Sequence, residues 1–407
     1  MAGQLRRRPT SGERGDQLRT CSDGYIGTDV MPAHSDIEVR IGVLLAGGSS
    51  RRAGVDKRFL VLGGRAQLLR SLAFLRAHFS RVVVSLAAGQ VLDLGDGAGP
   101  GVEILRDKWP GASPLAGIAS VLARHQQPVF AMAADIAFPD AGALKRVLEA
   151  FSGHDLALPA IGAIHHQPLF AVYGAACLTP MAALLDDNRH SIVEVLPQLD
   201  AAEVRFPDDS LFHNINTMDD YQEARRKAKT DAGAPAGETA TQPALVAIVG
   251  KSNSGKTTLI EKVVPELVKL GVRVGTVKHD AHSFEIDHPG KDSWRHGQAG
   301  AHAYAIASPE RLAFITKLDG EMPLADIVRR FFTGFDLVVA EGYKRTAPHR
   351  IELFRVGAGH SEPLCGPGEA LALVTDAELE HAHRFGLEDA AGLAQFLVVR
   401  VDSLREY

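Results

Sequence analysis

Two stretches of the chain repeat one rhythm, short apolar runs followed by amphipathic segments, and a polar stretch separates them. In the first, Val39–Ala46, Val82–Leu86 and Val129–Ala133 have the length and apolar content of strands buried on both faces. Gln67–His78, Gly117–Arg124 and Ala141–Phe151 place apolar residues at helical spacing. In the second, Leu245–Val249, Arg273–Val277, Ala303–Ala307 and Leu337–Ala340 read as strands and Lys256–Leu270 as a helix. Strand and helix in alternation predict an α/β fold class, with parallel sheets covered on both faces in two three-layer α/β/α domains. No internal repeat relates the two stretches, so they predict different domains and not a duplication.

The polar positions set the boundaries. Residues 1–36 are rich in Gly, Arg, Ser and Asp and lack periodicity, which predicts a disordered extension. Residues 227–243 are mostly Ala, Gly, Thr and Pro and read as a flexible linker. The expected domains are therefore 37–226 and 244–407. A chain of 407 residues exceeds what one hydrophobic core usually serves, in keeping with that division.

Charge and cysteine content narrow the function classes. Lys and Arg number 44 against 49 Asp and Glu, a formal net charge of −5, which gives no support to general nucleic-acid or anionic-membrane binding. Cys21, Cys177 and Cys365 are far apart, without CxxC spacing, and argue against a disulfide framework or a cysteine-built zinc site. No apolar run approaches the roughly 18–20 residues that span a bilayer. Arg6, Arg7 and Arg8 have no apolar stretch behind them and do not form a secretory signal, so a cytoplasmic location is expected.

The second stretch carries the most specific motif. Gly250 to Thr257, GKSNSGKT, satisfies GxxxxGK[ST] between an apolar strand and a helix, the context a P-loop requires. Its glycines let backbone amides face an anion at the helix N-terminus. Gly250, Asn253, Ser254, Gly255, Lys256, Thr257 and Thr258 are the expected phosphate-binding positions. Lys256 is expected on the β- and γ-phosphates and Thr257 on Mg²⁺. Glu341 ends the run Phe335–Ala340 and either helps hold that Mg²⁺ or caps the next turn. His279, Asp280, His282 and His288, followed by Lys291 and Asp292, match no standard zinc spacing and are expected to be loop residues near a phosphate.

The first stretch has a loop of another kind. Its first strand runs into Gly47-Gly48-Ser-Ser-Arg51-Arg52-Ala-Gly54-Val-Asp56-Lys57, a Gly-rich loop where α/β sheets bind ligands. It is neither a Walker A motif nor GxGxxG. Arg52 and Lys57 suit a triphosphate whose pyrophosphate must leave, although charge alone does not separate this from a solvated basic loop. Asp56 either braces the loop or caps the following helix.

The surrounding residues carry a resemblance. LAGGSSRRAGVDK resembles the LAGGxSxRMGxDK signature of the molybdenum cofactor guanylyltransferase (MobA) family. In order along 37–226 follow Pro114-Leu115-Ala116-Gly117-Ile118, Asp135 at the end of a strand, His166-Gln167-Pro168-Leu169-Phe170 and Asn214-Ile215-Asn216-Thr217, each similar to a family motif. Ala53, Ser113, Ala134 and Met218 depart from the family's Met, Gly, Cys and Pro, and none removes a phosphate- or metal-binding group. The second stretch is similar to the MobB family, a GTP-binding accessory to the same reaction. It shares the P-loop, Lys278-His279-Asp280, Asp287, Gly290-Lys291-Asp292-Ser293 and Glu341-Gly342-Tyr343-Lys344, with Asp280 a departure.

The resemblance implies a Rossmann-like nucleotidyltransferase followed by a P-loop NTPase domain. It implies transfer of GMP from GTP to the phosphate of molybdopterin, with Mg²⁺ as cofactor. The nucleotide site would comprise Leu45, Ala46, Gly47, Gly48, Lys57, Asp107 and Asp135. Lys57, Arg52 and Asp135 would be catalytic, with Asp135 on the metal. Gln167, Asn214 and Asn216 are candidate substrate contacts: Gln167 either meets pterin or nucleotide or is simply exposed, and for Asn214 and Asn216 the sequence does not choose between nucleotide, pterin phosphate and metal-bound water. The C-terminal domain is expected to be a GTP-binding adaptor, at most a weak GTPase. It would serve docking to molybdenum-insertion proteins or molybdoenzyme chaperones, or self-association. A molybdopterin cytidylyltransferase, or a sugar-1-phosphate nucleotidyltransferase fused to a P-loop domain, is the alternative.

Overall fold

The computed structural model describes residues 39–47, 55–95, 99–162, 165–231, 242–280 and 286–407. The expected extension 1–36, most of the Gly-rich loop (48–54, including Gly48 and Arg52), residues 232–241 and His282 lie outside the described residues.

The N-terminal domain runs β1 (Ile41–Leu45), β2 (Val61–Leu62), β3 (Arg65–Ala66), α1 (Gln67–His78), β4 (Arg81–Leu86), β5 (Val102–Arg106), α2 (Pro114–His125), β6 (Val129–Ala133) and α3 (Ala141–Ala150). It continues with β7 (Leu156–Ile161), β8 (His165–His166), β9 (Phe170–Tyr173), α4 (Leu178–Asp186), β10 (Ala201–Phe206) and α5 (Met218–Asp231). The sheet order is β10-β7-β9-β6-β1-β4-β5, with β8 paired to β7. Pairings are parallel except where β9 meets β6 and β7 and where β8 meets β7.

Alternation along the strands fills both faces. Leu44, Val82, Val84, Phe130 and Met132 pack with Leu68 and Leu72 of α1 and Leu144 and Val147 of α3. Val43, Val83, Ala131 and Leu158 turn the other way onto Ile118 and Leu122 of α2 and Met181 of α4. This is the three-layer arrangement the sequence predicts.

The C-terminal domain runs β11 (Ala244–Val249), α6 (Lys256–Lys269), β12 (Val274–Lys278), α7 (Asp292–Gln298), β13 (Ala303–Ala307), β14 (Leu312–Thr316), α8 (Leu324–Phe331) and β15 (Leu337–Glu341). β16 (Arg350–Phe354), β17 (Ala372–Thr375), β18 (Arg384–Phe385) and α9 (Ala390–Val398) complete it. Its parallel sheet has the order β12-β15-β11-β16-β17-β18. α6 and α9 cover one face through Val263, Leu267, Leu393 and Leu397, and α8 covers the other through Leu324 and Val328.

Two expectations need correction. Ala303–Ala307 is a strand, but it pairs only with β14 in an antiparallel hairpin outside the main sheet. Its alternation is that of an exposed ribbon, and Ile306, Leu312 and Phe314 are 60%, 73% and 54% exposed. The stretch read as linker from 227 is helical as far as Asp231, because α5 extends its polar face, with Lys227 3.6 Å from Glu223 one turn back. Both sheets belong to one compact unit. Among the described residues, no helix is long and apolar enough to cross a membrane.

Candidate active site

In both sheets the first strand is central, and its neighbours leave in opposite directions. β1 lies between β6 and β4, and β11 between β15 and β16. The crevice outside the carboxyl ends of such strands is where open α/β sheets bind ligands.

In the N-terminal domain that crevice is a cavity of about 220 Å³, lined by Leu45, Ala46, Gly47, Lys57, Arg58, Ser85, Asp107, Ser113, Asp135 and Leu169, among others. The sheet thus brings together Leu45, Ala46, Gly47, Lys57, Asp107 and Asp135 from four separate segments. The Ala46 amide donates to Ser85 O at 3.0 Å, which sets the exit of β1. A Cβ on Gly47 would lie 2.9 Å from the Ala87 backbone nitrogen, so only glycine fits that crossing.

The capping reading of Asp56 holds. Its Oδ1 accepts from the Arg58 amide at 3.1 Å and caps the short 3-10 turn Lys57–Phe59, while its Oδ2 accepts from Arg58 Nη2 at 2.6 Å. Arg58 Nη1 donates to Ala46 O at 2.8 Å, tying the turn back to β1. Arg58 was not among the residues singled out from the sequence; its signal is the basic pair Lys57-Arg58 directly after Asp56.

Two carboxylates face the cavity. Asp107 is buried and accepts from Ser85 Oγ at 2.7 Å; burial raises its pKa, and the hydroxyl offsets part of that. Burial also raises the pKa of Asp135, with Lys57 pulling it back. Carboxylate oxygens are the hard donors that Mg²⁺ takes, and both Asp107 and Asp135 line this cavity. Asn214 pairs with Ile136 in a single bridge and the Ile215 amide donates to Asp135 O at 2.9 Å, so Asn214 adjoins the Asp135 backbone. Its buried Oδ1 has no partner among the described residues, as an oxygen reserved for a ligand would.

The other candidates sit apart from this group. Asn216 is exposed, its amide bonded to Asp220 Oδ2 at 2.7 Å in the turn before α5. Gln167 lies outside the cavity lining, its amide on Pro159 O at 3.0 Å; Leu169 supplies that segment's contribution instead. Ser113, where the similar family has glycine, accepts from the Ala116 amide at 3.2 Å and caps α2 at the cavity wall.

The P-loop of the C-terminal domain is formed as its motif predicts. Gly250 and Gly255 have φ of +152° and +99°, and Asn253 has φ of +61°. Lys256 Nζ donates to Lys251 O at 2.9 Å, and Thr257 Oγ1 donates to Glu341 Oε1 at 2.8 Å. The second bond joins hydroxyl and carboxylate, the two oxygens a P-loop Mg²⁺ takes. Burial lowers the Lys256 pKa, Lys344 and Lys278 lower it further, and Glu341 opposes them. Three lysines around one loop make a site for several phosphate charges.

Ser254 Oγ is buried without a partner among the described residues. Beside it lies a cavity of about 190 Å³, lined by Thr258, Lys262, Leu353, Arg355, Leu387 and Glu388. His279 pairs with Glu321 at 3.0 Å and Asp287 accepts from Ser293 Oγ at 3.1 Å. Among the described residues, no three His, Cys, Asp or Glu side chains gather as a metal site.

Fold and site together define a nucleotidyltransferase-type α/β domain joined to a P-loop nucleotide-binding domain. Residues 42–202 match the MobA-like NTP transferase domain family, and residues 245–376 match the family described as molybdopterin guanine dinucleotide synthesis protein B (MobB). The molybdopterin-guanine dinucleotide biosynthesis adapter protein of Escherichia coli (strain K12) is 37% identical over 159 residues, 38% of this chain and 91% of that protein. A probable molybdenum cofactor guanylyltransferase of Pelotomaculum thermopropionicum is 30% identical over 196 residues, 46% of this chain and 93% of that one. A solved molybdopterin-guanine dinucleotide biosynthesis protein A from Archaeoglobus fulgidus is similar over 47% of this chain and 100% of its own, at 22% identity and a TM-score of 0.39. The chain belongs to both families, MobA in its N-terminal half and MobB in its C-terminal half.

Proposed function

We propose that this chain is a molybdenum cofactor guanylyltransferase carrying its own adapter. The N-terminal domain transfers GMP from GTP to the terminal phosphate of molybdopterin, giving molybdopterin guanine dinucleotide and pyrophosphate. The C-terminal domain binds GTP without acting on an acceptor. The observation that carries this function is one cavity at the strand ends lined by a glycine-bearing backbone, Lys57 and two carboxylates, buried Asp107 and half-buried Asp135.

A phosphate oxygen of molybdopterin attacks the α-phosphorus of GTP in line, the new P–O bond forms, and the bond to the β-phosphate oxygen breaks. The chain's part is positioning and charge neutralisation. Gly47, with Gly48 assigned from the motif, turns backbone amides to the triphosphate. Lys57, with Arg52 likewise assigned from the motif, offsets charge on the departing pyrophosphate. Arg58 positions Lys57 by pinning the turn to β1. Asp135 and Asp107 are the groups that would hold Mg²⁺, with Asn214 adjoining. Bound there, Mg²⁺ neutralises charge developing on phosphate oxygens.

In the second site Lys256 takes the β- and γ-phosphates, and Thr257 with Glu341 would hold Mg²⁺. Exposed Ile306, Leu312 and Phe314 on the β13–β14 hairpin suit self-association of C-terminal domains. Molybdenum-insertion proteins and molybdoenzyme chaperones are the partners that go with an adapter role, and a cytoplasmic location goes with all of these. Purified protein given molybdopterin with GTP, CTP or ATP in turn tests the reaction. Dinucleotide and pyrophosphate are expected with GTP alone; turnover with CTP, or none with GTP, overturns the proposal.

A further inference from the structure

We propose that the transferase domain carries a built docking surface, formed by the β2–β3 hairpin, Tyr221 and the Asp93 segment, whose occupant is this chain's own P-loop domain. The surface holds whatever nucleotide each domain takes, so it stands apart from the reaction proposed above.

Main chain joins main chain first. The Val61 amide donates to Leu270 O at 2.8 Å, so the hairpin edge is closed by the residue that follows α6. The Tyr221 hydroxyl, on a side chain buried in α5, reaches Val61 O at 2.7 Å and Leu270 O at 3.3 Å. One hydroxyl thus ties both sides of the contact. At Gly271, φ is +86° and a Cβ would lie 1.7 Å from that hydroxyl, so the approach needs glycine twice over.

A charged contact lies at a second point. Arg400 Nη2 donates to Asp93 Oδ2 at 2.7 Å, and His383 Nδ1 lies 3.3 Å from the same oxygen. Burial acts to raise the Asp93 pKa, but the Gly95 amide, Arg400 and His383 outweigh it and leave it below the usual carboxylate value. Arg65 Nε lies 3.2 Å from Asp402 Oδ2. Around these contacts Val61, Leu92 and Leu94 join Leu270, Val272, Val399, Val401 and Leu404 in one continuous buried apolar cluster. Apolar burial with hydrogen bonds and ion pairs across it is how a stable interface is made, and a bare tether produces neither. α6 therefore runs as a strut. Its first turn carries Lys256 and Thr257, and its far end rests on the hairpin that follows Lys57 and Arg58.

The test keeps the full chain. A protease site is placed within residues 232–241, an affinity tag on the N-terminal half, and the folded protein is nicked. Tagging that half matters, because self-association of C-terminal domains cannot retain a released C-terminal piece. Retention of that piece on the resin through washing at low micromolar protein is expected, and its release overturns the proposal. Asp93→Arg sets like charge against Arg400 and His383 and should weaken retention on the order of tenfold or more. The paired reversal Asp93→Arg with Arg400→Asp should restore most of it. Tyr221→Phe should weaken retention roughly two- to tenfold, the effect of one hydrogen bond. Full retention in Asp93→Arg and Tyr221→Phe alike would place the contact elsewhere. Should Asp93→Arg fail to fold, the paired reversal and Tyr221→Phe decide alone.

Discussion

The chain holds two phosphate sites built on one plan, a loop leaving the central strand of a parallel sheet, and they differ in what faces the loop. Across the C-terminal loop stand lysines, with Lys278 and Lys344 crowding Lys256 and the Glu341 carboxylate bonded to Thr257. Across the N-terminal loop stand two carboxylates, Asp107 and Asp135, whose pKa values burial raises. A basic surround holds a nucleotide. A surround that sets two carboxylates in one cavity, Asp135 beside Lys57, suits a metal that acts on a bond being broken. The difference argues that one site binds and the other transfers.

The comparison breaks most sharply at Asp135. Asp135→Asn keeps the shape and removes the charge, and should lower the rate of dinucleotide formation on the order of 10²- to 10³-fold, the cost of losing one preorganised electrostatic group. Circular dichroism should show an unchanged fold. Near-normal turnover at saturating Mg²⁺ would take the metal away from this residue.

Lys256→Ala tests the other half. Losing a charge-assisted contact to the β- and γ-phosphates should weaken GTP binding at the P-loop roughly 10- to 100-fold, seen by calorimetry with a non-hydrolysable analogue. Transfer by the N-terminal site should stay within about twofold, a change smaller than one lost hydrogen bond would produce. If transfer falls with P-loop binding, either the P-loop takes part in catalysis or occupancy is transmitted along α6 to the hairpin at Val61.

These two sites were unequally legible. A P-loop is local, since Gly250 to Thr257 contains the turn, the amides, the lysine and the hydroxyl, and the acid that faces it, Glu341, ends a recognisable strand. The transferase site is assembled across the sheet from residues 45 to 169. Periodicity finds the strands, yet Asp107 enters only through a family resemblance, because nothing local marks the residue after β5. Ser85 and the tie from Arg58 to Ala46 are illegible for the same reason, since the fold brings Asp107 to one and Ala46 to the other, whereas the Arg58–Asp56 pair is local. Gln167 shows the converse, a motif residue that the fold leaves off the cavity while its neighbour Leu169 lines it. The packing of hairpin on helix was not legible at all, since composition reports that residues 227–243 can bend and not that Tyr221 reaches Leu270.

Arg58 gives a smaller effect that separates positioning from chemistry. Arg58→Lys keeps the charge but loses the fork that holds Asp56 and Ala46 O together. Loss of one charge-assisted bond predicts a rise in KM for GTP of about tenfold, with kcat little changed. A fall in kcat at unchanged KM would make Arg58 a group that acts in the transition state.

The smallest effect contrasts the residues that open the two phosphate-facing helices. Gly255 begins α6 at φ +99° and Ser113 begins α2 at φ −135°. The first conformation disfavours any side chain, so Gly255→Ala should destabilise the protein by about 1–2 kcal/mol, the strain of a left-handed residue. Ser113 sits in ordinary extended backbone, and its hydroxyl accepts the Ala116 amide at 3.2 Å. Removing that cap with Ser113→Ala should cost about 1 kcal/mol, whereas Ser113→Gly should cost only a few tenths. Chemical denaturation with urea reads all three. Because the Ser113 hydroxyl is engaged in its own helix, Ser113→Gly should also leave GTP turnover within about twofold, the scale of a contact worth a few tenths of a kcal/mol. A large activity loss there would mean that the hydroxyl leaves the helix to contact the nucleotide, and that the serine changes the site as well as the cap.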